Sequence, residues 1–354
     1  MKRILALVLS LVMVFALTAC GGTTEKTETT TPADSGETAA PAETPAEKYT
    51  IIISNTGSEQ CSDYAGASAF KAYVEEASKG QIEVQLAFNG IMGTDREQLE
   101  SVQLGNITMA STGLTQYTNF VKELTALDGP FMFENTEDVY NLFADEEFIA
   151  YLNELFSKVN YRFMGMNFQG FRTLTSNKEV HSMADMKGMT IRVIESATPI
   201  ALWTALGANP TPLAFTEVYT ALQQGTVDAQ ENPLELIYSQ KFYEQQDYII
   251  NTNHQIQPLF LVINLDFYNS LPDDIRAIVD AGCEEYLKAS RAYTEDMTEI
   301  YVQTMKDSGC TFIDIEPDDF AAMYEVTQSV RDSLAEQYPD FFAVLTAALE
   351  RTQG

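Results

Sequence analysis

An arginine interrupts one of the most apolar stretches of the sequence. Arg192 lies in residues 190–194, where the other side chains are threonine, isoleucine and valine. A strand of a parallel sheet that is covered on both faces normally contains no charged residue. The carboxyl end of such a strand, however, faces the crevice where α/β sheets bind ligands. A guanidinium there offers a rigid pair of donors that matches a carboxylate. On spacing alone, a buried arginine that pairs with a neighbouring acidic residue is an equal alternative.

Three further positions carry side chains that suit an acidic ligand. Arg172 follows Phe171 where a second lobe is expected to begin, although most arginines form surface ion pairs. Asn232 precedes Pro233, so it is first interpreted as a helix N-cap followed by proline at the first helical position. Its amide could instead serve a ligand. Phe215 belongs either to the core or to a lid over a bound molecule.

Motifs that would indicate an enzyme are missing. The chain has only two histidines, His181 and His254, and it contains no HExxH, GxSxG, P-loop, GxGxxG or EF-hand pattern. We expect His181 at the surface and His254 in a structural hydrogen bond. The prediction is therefore no catalysis, no cofactor and no metal.

Short apolar runs alternate with helical patterns from residue 49 onward. The expected strands are residues 49–54, 82–88, 107–111, 161–168 and 190–194. The expected helices are residues 62–79, the segment that a capping box opens at 94–97 and Gly105 ends, and residues 197–206 and 216–224. This order predicts an α/β fold with a mainly parallel sheet in its first part and a second α/β lobe after residue 160.

One helical pattern is unusually long. It runs from Pro272 to Asp307, with proline in its first turn and Gly309 just past its end. A helix of about 35 residues is roughly 50 Å long, which exceeds the width of one lobe. We therefore expect it to brace both lobes of a clamshell that closes by a hinge.

The first residues predict export. Lys2 and Arg3 precede an apolar run at 4–17 that is too short to span a bilayer, which needs roughly 20 residues. Small residues then lead to Cys20, which resembles a bacterial lipobox. Residues 1–19 are predicted to be a signal peptide, and residues 20–48 a lipidated cysteine and a disordered tether. The alternative is an ordinary secretory signal with an incidental cysteine.

The charge excludes one class of partner. The formal net charge is −30, which argues against nucleic acid because phosphates require a basic face. An anionic ligand remains possible, since salt screens exposed charges beyond roughly 8 Å and buried arginines can dominate locally. Cys61, Cys283 and Cys310 have no metal-binding spacing and leave open whether one pair forms a disulfide.

Several segments resemble successive signatures of the TRAP-transporter solute-binding proteins, the DctP family. They are residues 171–177 (FRTLTSN), 186–196 (MKGMTIRVIES), 206–225 (LGANPTPLAFTEVYTALQQG), 227–233 (VDAQENP), 241–244 (KFYE), 252–254 (TNH), 93–97 (GTDRE) and 130–133 (PFMF). The resemblance runs in order from residue 49 to the C-terminus. It implies a two-lobed, periplasmic-binding-protein-like clamshell with interleaved connections and a long helix contacting both lobes.

The resemblance also implies roles for individual residues. Arg192 matches the principal carboxylate clamp of the family. The remaining predicted ligand-binding residues are Arg172 and Asn232, which assist the clamp, Phe215, which packs on the ligand, Asn55, a polar contact from the first lobe, and Phe171 beside Arg172. Lobe I is predicted to comprise residues 49–169 and 258–297, and lobe II residues 170–257 and 298–354.

The sequence departs from the family pattern at three places. Residues 178–180 (KEV) stand where the family often has an Arg-Pro pair, and Ile194 stands where a proline is usual. Thr94 and Thr112 lie near positions that are acidic in the branch that binds sialic acid. The last difference disfavours that ligand and leaves the choice among carboxylates open.

The functional prediction is a solute receptor anchored by lipid to the outside of the bacterial cell membrane. It binds a small organic acid, a dicarboxylate or a sugar acid, between its lobes. The resemblance implies a small and a large TRAP membrane subunit as partners that receive the ligand. A ligand-sensing lipoprotein and a secreted enzyme on a clamshell scaffold remain the alternatives.

Overall fold

Two β-sheets organise the chain in the computed structural model, which describes residues 47–352. Cys20, the predicted signal peptide and nearly all of the predicted tether lie outside the described residues. The strands are β1 (Tyr49–Ser54), β2 (Ile82–Ala87), β3 (Met109–Gly113), β4 (Tyr161–Phe171), β5 (Thr173–Ser176), β6 (Thr190–Val193), β7 (Asn209–Pro212), β8 (Ala229–Asn232), β9 (Tyr248–Asn251), β10 (Ile256–Asn264) and β11 (Thr311–Asp314).

Helices cover both sheets. They are α1 (Ser62–Ala77), α2 (Asp95–Gln103), α3 (Leu114–Tyr117), α4 (Thr136–Ala144), α5 (Glu146–Ser157), α6 (Ala197–Ala205), α7 (Val218–Gln223), α8 (Leu234–Ser239), α9 (Leu265–Ser270), α10 (Asp273–Asp307), α11 (Pro317–Val326), α12 (Gln328–Gln337) and α13 (Pro339–Thr352). Short 3₁₀ turns lie at Lys122–Ala126, Met183–Met186, Phe215–Glu217 and Phe242–Glu244. The predicted α/β class is confirmed.

The first sheet has the order β2-β1-β3-β10-β4. Strands β1, β2 and β3 are parallel, as the alternation of strands and helices predicts. Strand β10 runs antiparallel to both β3 and β4, so the sheet as a whole is mixed. The predicted parallel arrangement therefore holds for β1, β2 and β3, and β4 runs in the same direction; only β10, which returns from the second sheet, is reversed. We call this sheet and the helices packed on it the first lobe.

The second sheet has the order β11-β9-β5-β8-β6-β7. Strands β6, β7 and β8 are parallel, and β5 runs antiparallel to its neighbours β8 and β9. We call this sheet and its helices the second lobe. The chain first passes from the first lobe to the second at Arg172, which separates β4 from β5, and it returns through residues 252–255 between β9 and β10. It crosses a second time along α10, which leads from β10 to β11.

Helix α10 confirms the predicted long helix almost to the residue. It is 35 residues long and packs against α1 in the first lobe and α8 in the second. Two glycines permit the close approach of α1 and α10: a Cβ on Gly66 would lie 2.1 Å from the Ser290 hydroxyl, and one on Gly282 would lie 2.4 Å from a methyl of Val74. The helix therefore spans both lobes, as expected.

The C-terminal segment departs from the predicted lobe boundaries. Residues 298–354 were assigned to lobe II, yet Phe341, Leu345 and Ala348 of α13 pack in the apolar core of the first lobe. Helix α13 reaches it because it packs against α4 and α5. The rest of the predicted division stays a prediction.

The described residues contain neither a membrane-spanning helix nor a disulfide bond. Within residues 47–352, no helix is long and apolar enough to span a bilayer. Cys61, Cys283 and Cys310 are buried and free, which indicates that no disulfide joins any of them in this arrangement.

Candidate functional site

A cavity of about 50 Å³ lies where the two lobes meet. Both lobes supply its walls, and its lining includes five of the six predicted ligand-binding residues. The lining residues are Asn55, Cys61, Asp63, Asp95, Thr112, Gly113, Gln116, Gln169, Arg172, Arg192, Ile194, Phe215, Asn232, Leu236, Gln257 and Leu259. We call this cavity the cleft.

The lobes touch along the edges of the cleft. The hydroxyls of Thr118 and Ser196 lie 3.1 Å apart, and the Asn119 side chain donates to the Glu195 carbonyl at 3.3 Å. Each of these contacts joins a segment after β3 to the loop after β6. The structure therefore has its lobes closed over the cleft.

Arg192 occupies the third position of β6, a strand in the interior of the second sheet. Its side chain is 1% exposed, and its Nε and Nη2 atoms donate to the Leu213 carbonyl at 3.0 and 2.7 Å. Its Nη1 atom has no hydrogen-bond partner among the described residues. One end of the guanidinium is thus fixed by the backbone, and the other end faces the cleft with an unused donor.

No carboxylate neutralises Arg192 directly. Within residues 47–352, no acidic oxygen lies within 4.0 Å of its nitrogens. Burial lowers the pKa of Arg192 to about 10, so the side chain remains protonated at neutral pH. The buried ion pair that spacing alone left open is therefore not formed within residues 47–352.

Arg172 has the opposite environment. It is fully buried, and its Nε and Nη2 atoms form a two-pronged salt bridge with the Glu231 carboxylate, with 2.9 Å between Nη2 and Oε1. Its Nη1 atom donates to Gln257, and Nη2 also reaches Asn232 Oδ1 at 3.2 Å. The positive charge of Arg172 is therefore largely neutralised by Glu231. This ion pair lies at the crossing between the lobes.

Glu231 completes this ion pair from β8. It is fully buried, which opposes ionisation, but the charge of Arg172 and hydrogen bonds from His254 and Arg172 hold the pKa of Glu231 below its usual range. His254 lies 3.1 Å from Glu231 and 2.8 Å from the Thr252 hydroxyl. The predicted structural hydrogen bonding of His254 is confirmed, and His181 lies at the surface as expected.

Asn232 is not the N-cap that its sequence context suggested. It is the last residue of β8, and Pro233 occupies the N-cap position of α8. The Asn232 amide donates to Gln230, and its oxygen receives the hydrogen bond from Arg172. The strand pairs with β5 up to this residue, so its backbone stays extended and its side chain faces the cleft.

Phe215 lies at the rim of the cleft in a 3₁₀ turn. Its ring is half-buried and packs edge-on against Phe242 at 5.9 Å. The helix predicted from residue 216 begins later, at Val218, and a 3₁₀ turn (Phe215–Glu217) precedes it. The position suits an aromatic wall for a bound molecule.

Asn55 lies deeper in the first lobe. Its amide donates to Asp63 at 2.8 Å and to the Ser111 carbonyl at 2.7 Å, and its oxygen accepts from the Gly57 amide. Asp63 also accepts from Tyr286 at 2.9 Å. Burial raises the pKa of Asp63 to about 6. Asn55 therefore lines the cleft while supporting a buried carboxylate.

Phe171 does not join the cleft. It lies in a separate groove on the other side of the crossing, where its ring meets Phe168 edge-on at 5.7 Å. Successive side chains of a strand point to opposite faces, and Arg172, the next residue, occupies the cleft side. The prediction that groups Phe171 with the ligand contacts is therefore not supported by its position.

Asp95 was missed as a cleft residue. It is the first residue of α2, it is 8% exposed, and its Oδ1 atom accepts from the hydroxyls of Thr56 and Thr112 at 2.8 Å each. Burial raises its pKa, and the nearby charge of Arg192 opposes that rise. In the sequence, Asp95 belongs to a confirmed capping box, and an acid in a first helical turn is common, so nothing local distinguished it.

Comparison with known proteins identifies the family. The sequence profile of bacterial extracellular solute-binding protein family 7, DctP, matches residues 53–337. A solute-binding protein of Verminephrobacter eiseniae is 33% identical over 77% of this chain and 81% of its own length. The chain belongs to the DctP family.

Solved structures of TRAP periplasmic solute-binding proteins share the fold. One from Shewanella oneidensis, with bound succinate, is 27% identical, covers 85% of this chain and 99% of its own, and has a TM-score of 0.81. One from Polaromonas sp. JS666, bound to D-erythronate, is 25% identical, covers 85% and 98%, and has a TM-score of 0.80. The resemblance in the sequence is thus confirmed, and this DctP-family protein is an extracytoplasmic TRAP solute-binding protein.

The part of this DctP-family protein that the structure describes contains no candidate metal site. Within residues 47–352, no cluster of three or more histidine, cysteine, aspartate or glutamate side chains is placed to bind an ion. The cleft instead combines one unpaired guanidinium with two buried carboxylates, several hydroxyls and amides, and one aromatic wall. This set can hold a small polar anion by hydrogen bonds.

Proposed function

We propose that the protein captures a small hydroxy acid between its lobes and delivers it to the membrane subunits of a TRAP transporter. The observation that carries the proposal is Arg192, a buried cation with an unused donor facing the cleft. A guanidinium binds a carboxylate by charge-assisted hydrogen bonds, which are stronger than hydrogen bonds between neutral groups. Arg192 is assigned to the ligand carboxylate.

The charges of the cleft favour a hydroxy acid over a dicarboxylate. Arg172 is already paired with Glu231, and the other charged lining residues are Asp63 and Asp95. A second ligand carboxylate would face these acids without a free cation, whereas a ligand hydroxyl could donate to Asp95. Opposite charges in contact stabilise and like charges destabilise, most strongly where water is excluded. Both a dicarboxylate and a sugar acid fit the family, and this cleft favours the second class.

The size of the cleft sets a limit on the ligand. The volume of the closed cleft is only about 50 Å³. So little room favours a short-chain acid over a long one. Relatives hold molecules of this size, since the Shewanella oneidensis protein has bound succinate and the Polaromonas protein D-erythronate.

Two measurements test the ligand assignment. Mass spectrometry of the molecule released from freshly purified protein should find a hydroxylated monocarboxylate. In calorimetric titrations with a matched pair of four-carbon acids, D-erythronate should bind at least about tenfold more tightly than succinate, which corresponds to about 1.4 kcal/mol. Tighter binding of succinate would contradict the charge argument and would require a second cation in the cleft.

We also propose that the protein performs no catalysis and needs no cofactor. Most polar groups of the cleft are engaged in hydrogen bonds within the protein, and the titratable pairs serve structure rather than proton transfer to a reacting atom. The bound acid should therefore be recovered chemically unchanged after prolonged incubation. A changed acid would favour the enzyme alternative, and a signalling response without uptake would favour the sensor.

The membrane anchor is the remaining part of the proposal. Cys20 follows a charged start and an apolar run, and it is proposed to carry lipid after removal of residues 1–19. Replacing Cys20 with alanine should release the protein from the membrane fraction or block its processing, because the thiol is the site of acylation. Fractionation followed by immunoblotting measures this effect. Cys310→Ala serves as the control cysteine and should stay anchored; membrane retention of the Cys20 variant would rule the anchor out.

A further inference from the structure

A carboxylate of the second lobe caps a helix of the first. Glu235, in α8, is 2% exposed, and its Oε1 atom accepts from the backbone amide and the hydroxyl of Ser62, both at 2.9 Å. Ser62 is the first residue of α1, so the carboxylate lies at the positive end of that helix. The contact therefore bridges the two lobes.

Two further parts of the molecule meet at the same carboxylate. Gln169, near the end of β4, donates to Oε1 of Glu235 at 2.6 Å. The Thr294 hydroxyl of α10 lies 3.3 Å from Oε2. The carboxylate thus joins α1, the strand that leads to the crossing between the lobes, and the long bracing helix.

The groups facing Glu235 offer no compensating cation. Asp63 and Cys61 face it from the start of α1, and Tyr293 and Tyr301 face it from α10. Within residues 47–352, no lysine, arginine or histidine nitrogen lies within 4.0 Å of its oxygens. Burial, aided by the charge of Asp63 and opposed by the hydrogen bonds from Ser62 and Gln169, raises the pKa of Glu235 from 4.5 to about 7.

We propose that closure of the lobes takes up a proton at Glu235, so that acidic conditions favour the closed form. The inference deepens the proposed function and rests on it only for the existence of an open form. Opening separates α8 from α1 and returns the carboxylate to water, where its ordinary affinity for protons applies. The closed form then binds more protons than the open form between the two pKa values.

The direction of the effect follows from this difference. Below about pH 4.5 both forms are protonated, and above about pH 7 both are ionised. Between these limits, each unit of acidification raises the ratio of closed to open molecules by up to about tenfold. Protonation keeps the carboxyl group able to accept from Ser62, and it removes the cost of burying a charge beside Asp63.

Asp63 does not produce the same coupling. Its carboxylate accepts from Asn55, Ser111 and Tyr286, which all belong to the first lobe or to the part of α10 packed on it. None of these bonds connects the first lobe to the second. The proton affinity of Asp63 is therefore set mainly within the first lobe, and closure changes it less than that of Glu235.

The test measures closure without any ligand. Spin labels on Glu100→Cys in α2 and Gln224→Cys after α7 report the distance across the cleft by pulsed electron paramagnetic resonance. Both positions are exposed, and the native cysteines are buried. From pH 8 to pH 5.5 the ratio of closed to open molecules should rise at least about fivefold in the parent. In Glu235→Gln, which is neutral at position 235 throughout, the rise should be clearly smaller than in the parent.

A matched control and a second variant make the outcome decisive. Glu295→Gln removes an exposed carboxylate next to Thr294 and should keep the pH response of the parent. If Glu235→Gln does not fold, Glu235→Met also removes the titrating group and serves the same comparison. A parent whose distances do not change with pH, or a Glu235 variant that keeps the full response, would overturn the proposal. Because no ligand is present, failure of the hydroxy-acid assignment cannot produce either result.

Discussion

Replacing Arg192 with alanine is expected to weaken ligand binding by roughly 30-fold to several-thousand-fold. Truncating one partner of a desolvated, hydrogen-bonded charge pair typically costs about 2–5 kcal/mol. Arg192 meets those conditions, because it is 1% exposed and its Nη1 donor faces a cleft that the closed lobes shield from water. Calorimetric titration with the acid identified by mass spectrometry measures the loss.

The control variants separate charge from geometry. Arg192→Lys keeps the positive charge but loses the planar pair of donors, so it should bind better than the alanine variant and still clearly worse than the parent. Arg96→Ala removes an exposed arginine of the nearby helix α2 and should leave binding unchanged. If Arg192→Ala melts like the parent and binds within threefold of it, Arg192 is an internal structural residue and the clamp assignment is wrong.

Replacing Arg172 with methionine is expected to cost about 3–5 kcal/mol of folding free energy. Removing one member of a buried salt bridge leaves the other as an uncompensated charge, and Glu231 has no exposure to water. The double variant Arg172→Met, Glu231→Leu should be less destabilised than the single one, since no buried charge remains. Urea unfolding followed by circular dichroism gives both free energies.

The pH dependence of the same ion pair provides a second readout. Because the pKa of Glu231 is depressed in the folded protein, its contribution to stability is present above the unfolded value of about 4.5 and is lost as the pH falls below it. In Arg172→Met the depression disappears, so the variant should lose less stability than the parent between pH 5 and pH 3. A cost below about 1 kcal/mol at pH 7, or an unchanged acid profile, would mean that the pair contributes little to the fold.

The two arginines therefore have different expected roles although they lie in one cleft. Arg172 sits at the crossing between β4 and β5, and its ion pair with Glu231 ties the crossing to β8. Arg192 extends from β6 and has only a backbone carbonyl as its partner. Loss of Arg172 should appear first as lost stability, and loss of Arg192 as lost affinity.

Local signals in the sequence predicted part of the secondary structure around the site. Helix α10 follows from a sustained helical pattern with Pro272 at its start and Gly309 after its end. The capping box at Thr94 forms as expected, with the Thr94 hydroxyl 3.3 Å from the Glu97 amide. Such features depend on residues three or four positions apart, so the chain encodes them without reference to the fold. Arg192 was detectable for a similar reason, because a charge inside an apolar strand is conspicuous.

Only the tertiary structure decided which charges remain available to a ligand. Arg172 and Glu231 are 59 residues apart in sequence and meet because β5 pairs with β8. Asp95 and Glu235 look like ordinary acids near helix starts, yet they are only 8% and 2% exposed in the folded protein. Contacts of this kind depend on strand order and lobe closure, which local periodicity does not specify. The sequence by itself therefore determined the family, part of the secondary structure and the arginine most suited to a carboxylate. The packing of the lobes decided that, of the two arginines in the described cleft, only Arg192 lacks an acidic partner.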